Sequence, residues 1–266
     1  MNIKSVFFKL VKKLPLNLAI FLCRFIIFSY LLWRKDYRTE IKINYQKVFS
    51  NLKNGKWFWL KLSKRLGENF GVMLKMMDNK KILDKIAISG ENILNSIFEN
   101  SESAVVVSFH YGLWELLPQI FKRMGYETYI AISRQKDKDW DEELRKLRSQ
   151  NGVGLMETIA EMKRILKSNG TNNRKRLLGF VLDNKRLTRG LCLNEPWRNF
   201  FILRTPFVLA QSEKVPLLGM FCYKKANRIV IDVAEVKNPK AIGERLRHFI
   251  TQQPEDWIFW GKRCQN

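Results

Sequence analysis

The order of apolar and polar positions divides the chain into three regions. Leu14 to Trp33 is almost wholly apolar and rich in Phe, Ile and Leu, with Arg24 near its middle. About 20 such residues cross a bilayer, but a central arginine is costly there. Lys4, Lys9, Lys12 and Lys13 precede the stretch and Arg34, Lys35 and Arg38 follow it, so charge gives no orientation. A helix lying in the membrane interface fits slightly better than a full crossing. No small-residue cleavage site follows, so no secretory signal is read.

From residue 40 to 100 the apolar positions recur at helical spacing, as at Trp57, Leu60, Leu66, Phe70 and Leu74, and predict helices. Beyond that, short runs rich in β-branched residues predict strands at 104–109, 128–133 and 177–182. A helix from Glu157 to Lys167, closed by Ser168-Asn169-Gly170, lies between the last two. Val215 to Tyr223 and Ile229 to Val236 predict two more strands, and Ile242 to Thr251 a final helix. Strands alternating with helices imply an α/β fold with a mostly parallel central sheet flanked by helices. No long Pro, Gly or Ser-rich linker divides the 266 residues. The chain therefore reads as an anchor over residues 1–38 and one domain over residues 39–266.

Composition sharpens the choice of partner. Lys and Arg number 48 against 25 Asp and Glu, a formal net charge of +23. Phosphorylated lipid, an anionic bilayer, an acidic carrier protein and nucleic acid would all suit that sign. Nucleic acid is disfavoured, because no zinc-finger spacing, RNP-like aromatic pattern or basic helix with heptads is present. Cys23, Cys192, Cys222 and Cys264 lack metal or disulfide spacing, so neither a metal nor a disulfide framework is expected. No Walker or dinucleotide glycine loop and no Gly-x-Ser-x-Gly elbow appears, so no nucleotide cofactor and no acyl-serine route is expected.

The chemistry concentrates where strands end. Ala104 to Phe109 runs into His110-Tyr111-Gly112-Leu113-Trp114-Glu115. An imidazole is the usual base for deprotonating an alcohol near neutral pH, with a carboxylate setting its tautomer. Five residues apart on an ideal helix, His110 and Glu115 would point in different directions, so the backbone must turn between them, and Gly112 permits this. The second strand runs into Arg134 and the third into Asp183. Three strands delivering His, Arg and Asp to one sheet edge would form a polar cluster at the place where open α/β sheets bind ligands. The second histidine, His248, sits among Arg245, Arg247 and Phe249 and reads as surface or packing.

With these blocks in order, the chain resembles the lipid A biosynthesis acyltransferases, the lauroyl and myristoyl transferases of lipopolysaccharide assembly. The resemblance runs from Leu14-Pro15 through Ser108 to Glu115, which looks like the family's His-x4-Glu signature. It continues through Arg134, Leu147-Arg148-Ser149-Gln150-Asn151-Gly152, Asp183-Asn184 and Thr205 to Ala210, and closes on Pro254 to Arg263. It implies His110 as the base acting on an acceptor hydroxyl and Glu115 as its orienting group. Arg134, Arg148 and Asp183 are implied as further polar site positions, the arginines facing either an oxyanion or a sugar phosphate. It further implies an acyl carrier protein as donor, an anionic glycolipid as acceptor and the cytoplasmic face of an inner membrane as location. The chain departs from the family at Asn184, where a Gln is usual, and at Asn199-Phe200-Phe201-Ile202, which lacks a glycine. Both departures bear on the acceptor. The same chemistry on another glycolipid or an aminolipid, and a non-catalytic basic protein binding anionic membrane, are the alternatives.

Overall fold

The three central apolar runs become neighbouring parallel strands. The computed structural model describes residues 3–49, 53–77, 79–167, 174–183, 190–195 and 198–261. Its strands are β1 (Ile86–Ser89), β2 (Ser103–Ser108), β3 (Glu127–Ala131), β4 (Gly154–Met156), β5 (Arg176–Val181), β6 (Leu191–Glu195), β7 (Arg198–Ile202), β8 (Leu217–Lys225) and β9 (Arg228–Glu235). Seven of them form one sheet in the order β1-β9-β8-β2-β5-β3-β4, and β6 pairs with β7 in a separate hairpin. Every neighbouring pair in the large sheet is parallel except β8 with β9. β2 is buried along its whole length, which explains why its sequence is continuously apolar rather than alternating.

Helices cover both faces: α1 (Ile3–Lys13), α2 (Leu16–Trp33), α3 (Lys35–Val48), α4 (Phe58–Met76), α5 (Glu91–Asn100), α6 (Leu117–Arg123), α7 (Lys138–Arg148), α8 (Ile159–Lys167), α9 (Thr205–Ser212) and α10 (Pro239–Gln252). One core joins Val105, Val107, Leu178 and Phe180 of the sheet to residues from α3, α8 and α10. The other joins Val106, Leu177 and Met220 to Leu117, Ile120 and Phe121.

The structure differs from the sequence expectations at three places. Residues 40–100 are not helical throughout, since β1 occupies 86–89 and pairs with β9 at the sheet's edge. Four residues are too few to show a period. The boundary expected after residue 38 falls inside α3, whose Ile41, Asn44 and Tyr45 are buried in the main unit. The helix expected from Glu157 starts at Ile159, because Thr158 and Glu161 form a capping box. The Thr158 Oγ1 accepts from the Glu161 N–H at 3.2 Å and the Glu161 carboxylate accepts from the Thr158 N–H at 3.0 Å. Glu157 is thereby left outside the helix. Ser168-Asn169-Gly170, Asn184 and Cys264 lie outside the described residues.

The apolar N-terminal stretch is α2, long and apolar enough by length and composition to cross a membrane, with one narrow face laid on α4. Small residues make this approach possible. A Cβ at Gly67 would stand 2.4 Å from the Arg24 Cα, and one at Gly71 2.8 Å from the Ile20 Cα. Arg24 does not face outward: its Nη2 donates to the Glu68 carboxylate at 2.9 Å, and Lys224 Nζ donates to the same carboxylate at 2.7 Å. That pairing accounts for an arginine in the middle of an apolar helix. The opposite side of α2 exposes Leu18, Phe21, Phe25 and Trp33.

Candidate active site

Strand register brings His110 and Asp183 together. Ser108 of β2 stands opposite Val181 of β5, so two residues further along both chains His110 and Asp183 emerge level at the carboxyl end of the sheet. The His110 Nδ1 lies 2.9 Å from Asp183 Oδ1, and the same oxygen accepts the His110 backbone N–H at 2.9 Å. Trp257 Nε1 donates to Asp183 Oδ2 at 2.8 Å. Asp183 is buried and surrounded by N–H donors, which suit a carboxylate. Its partner nitrogen on the imidazole therefore carries a proton, leaving the Nε2 lone pair to accept one. The ring is wedged edge-on between Trp114 and Phe259, with centroids at 5.2 and 5.0 Å.

The loop after His110 is held by backbone contacts rather than by a helix. Gly112 has φ +59°, and a Cβ there would meet the Cys222 carbonyl oxygen at 2.3 Å, so both conformation and space require glycine. The Gly112 N–H donates to the Asp256 carbonyl at 2.8 Å, and the Ile258 N–H to the His110 carbonyl at 3.2 Å. The Asp256 side chain is buried and receives Arg65 Nε at 2.6 Å and Asn69 Nδ2 at 2.7 Å. The closing segment thus ties the histidine loop to α4. In the sequence this segment stands out only through the resemblance, and the bond from Trp257 to Asp183 is not apparent there. A buried indole needs an acceptor, but nothing local to Trp257 says which.

The orienting partner is corrected: Asp183, not Glu115, holds the His110 Nδ1. Glu115 instead forms a two-pronged pair with Arg148, whose Nε donates at 3.1 Å and whose Nη2 makes the second bond. Burial pushes the Glu115 carboxyl up, but Arg148, aided by His110, holds it below its ordinary value. A carboxyl so lowered stabilises the fold above its ordinary value of 4.5 and loses that contribution as acid protonates it. Replacing Arg148 by Met would leave this carboxylate unpaired in a nearly dry wall, with an expected loss of about 3 kcal/mol. Adding Glu115→Gln to the same chain should restore most of it. Urea unfolding of the single and double variants measures both.

Arg134 does not join the cluster. It is 80% exposed and pairs with Glu157 at 3.1 Å, while Arg145 reaches the other oxygen of Glu157 at 2.8 Å. The segment after Arg134 leads into α7, which Asp137 caps by accepting the Trp140 N–H at 3.0 Å. His248 is exposed on α10, its ring against Phe249.

His110, Glu115 and Arg148 line one cavity of about 360 Å³ at the carboxyl end of the sheet. Its wall on the α6 side is apolar, built from Val106, Ile130, Leu177, Phe121 and Met220, and its rim is polar at Gln135, Glu157 and Thr205. A base, a fixed cation and an apolar chamber are thus contiguous, a combination suited to a hydroxyl and a hydrocarbon chain. Among the described residues no group of three or more His, Cys, Asp or Glu side chains is placed to hold a metal ion. No protein-family model matches the chain, and no curated protein matches it.

Proposed function

We propose that this chain is an O-acyltransferase that uses His110 as general base. More particularly, it moves a fatty acyl group from an acyl carrier protein thioester to a hydroxyl of a lipid A precursor, the activity implied by the sequence resemblance. The observation that carries this reading is the His110–Asp183 pair, whose remaining imidazole nitrogen opens on an apolar cavity walled in part by the Glu115–Arg148 pair.

In the reaction, Nε2 of His110 takes the proton of the acceptor hydroxyl as its oxygen attacks the thioester carbonyl. Arg148, fixed by Glu115, supplies positive charge for the oxyanion. Collapse expels the carrier thiolate, which takes the proton from the imidazolium, so an ester forms as the thioester breaks and His110 returns to its starting state. Asp183 holds the tautomer and stabilises the imidazolium between these steps.

The exposed face of α2 and its basic flanks support association with an anionic bilayer, on the cytoplasmic side of an inner membrane where the carrier protein is found. Phe21 and Phe25 would enter the acyl boundary while Lys and Arg side chains meet phosphates. The test is mass spectrometry of lipid A from a Gram-negative host that lacks its own late acyltransferases and expresses this chain. A gain of one acyl mass is expected. No gain, with the protein present in the membrane fraction, would transfer the proposal to another lipid acceptor or to a non-catalytic membrane-binding role.

A further inference from the structure

Gly179 sits in the middle of β5, between Val106 of β2 and Ile130 of β3 in register. Glycine in a central strand costs roughly 0.5–1 kcal/mol relative to alanine, so its presence calls for a reason. Conformation does not supply one, because its φ is outside the left-handed region. Crowding does not either: a Cβ would meet only Ile130 Cγ2 and the Tyr129 carbonyl, both at 3.6 Å, an ordinary contact. What distinguishes the position is that Val106, Gly179 and Ile130 all line the cavity. A missing side chain there is open volume, the strand-interior use of glycine where a ligand passes close to the backbone.

We infer that Gly179 sets how long an acyl chain the cavity takes, an inference that rests on the acyl-transfer reading above. Strand geometry gives the length roughly. Parallel strands advance about 3.3 Å per residue, so the Gly179 level lies roughly 13 Å below the Asp183 level and the Leu177 level roughly 20 Å below it. An extended chain advances about 1.3 Å per carbon, given bonds of about 1.5 Å. The tenth carbon then passes Gly179, and about fifteen would be needed to reach Leu177. A chain that passes Gly179 and stops short of Leu177 is therefore between about ten and fifteen carbons long, about twelve at the midpoint. A leucine at position 179 would add four carbon atoms to that channel and stop the chain near the eighth carbon.

The test measures two things on the full-length protein and on Gly179→Leu and Gly179→Ala. The first is displacement of a fluorescent fatty acid by saturated fatty acids of 8 to 16 carbons. The second is kcat/KM for carrier-protein thioesters of the same lengths. For the unsubstituted chain the optimum is expected near twelve carbons in both. In Gly179→Leu the preference for twelve over eight carbons should fall roughly 250-fold, since each of the four excluded methylenes is worth about fourfold. Gly179→Ala, whose Cβ fits without displacement, should shift the optimum in the same direction by a smaller step, and it decides the matter if the leucine variant does not fold. Unchanged length preference in folded variants would overturn the role of Gly179. A shifted binding preference with no transfer from any thioester would uphold the role of Gly179 in chain length while removing the acyl-transfer reading.

Discussion

Acyl transfer by the His110→Ala variant is expected to fall about 10³-fold while the protein stays folded. A positioned general base contributes roughly 10² to 10⁴ to such a rate, and no second histidine is close: His248 is exposed on α10. The fold should survive because Asp183 keeps two of its donors, the His110 backbone N–H at 2.9 Å and the Trp257 indole at 2.8 Å. What is lost is a half-buried ring between Trp114 and Phe259, which faces the cavity. Initial rates with a carrier-protein thioester, read beside a thermal unfolding curve, separate loss of chemistry from loss of structure. Turnover near the starting rate would remove His110 from the role of base.

Asp183→Asn is expected to be nearly as damaging, although it changes one atom. Both carboxylate oxygens accept from N–H groups, Oδ1 from the His110 ring and backbone and Oδ2 from Trp257. An amide offers one oxygen and one NH2. If the NH2 faces the indole, two donors confront each other in a buried place, at a cost of about 1–3 kcal/mol. If it faces the imidazole, Nδ1 must become the acceptor, the proton moves to Nε2, and the base is lost. Loss of the negative charge also removes support for the imidazolium. Inverting a catalytic histidine's tautomer in this way costs about 10⁴ in serine proteases, and a fall in kcat of about 10³-fold or more is expected here. KM should change much less, since Asp183 is buried behind the ring. Glu115→Gln, acting through Arg148 rather than on the imidazole, should lower kcat less than Asp183→Asn. The reverse order would mean that Glu115, not Asp183, sets the state of His110.

The fold was legible wherever strands were long and apolar. The runs at 104–109, 128–133 and 177–182 correspond to β2, β3 and β5 within two residues; β2 and most of β5 are buried on both faces, which demands continuous β-branched and aliphatic side chains, while β3 is half-buried and was marked by its β-branched and aromatic residues. β1 and β4 escaped because they have four and three residues. The site was legible as residue types at strand ends, but not as pairs. Which carboxylate meets His110 depends on β2 and β5 being neighbours, a long-range fact carried by no local pattern. His110 and Glu115 are close in sequence and suggest each other, whereas Asp183 is 73 residues away. Arg24 shows the converse. Its charge argued against a simple crossing, and the reason it is tolerated lies on α4, in Glu68 and in the two glycines that let the helices touch.

The most direct test of the central claim is transfer of a labelled dodecanoyl group from acyl carrier protein to a purified lipid A precursor, compared among the unsubstituted chain, His110→Ala and Asp183→Asn. Labelled acceptor formed by the unsubstituted chain, and reduced about 10³-fold by either substitution in folded protein, is the predicted result. Transfer at equal rates by all three, or by none with the protein folded and membrane-bound, would contradict it.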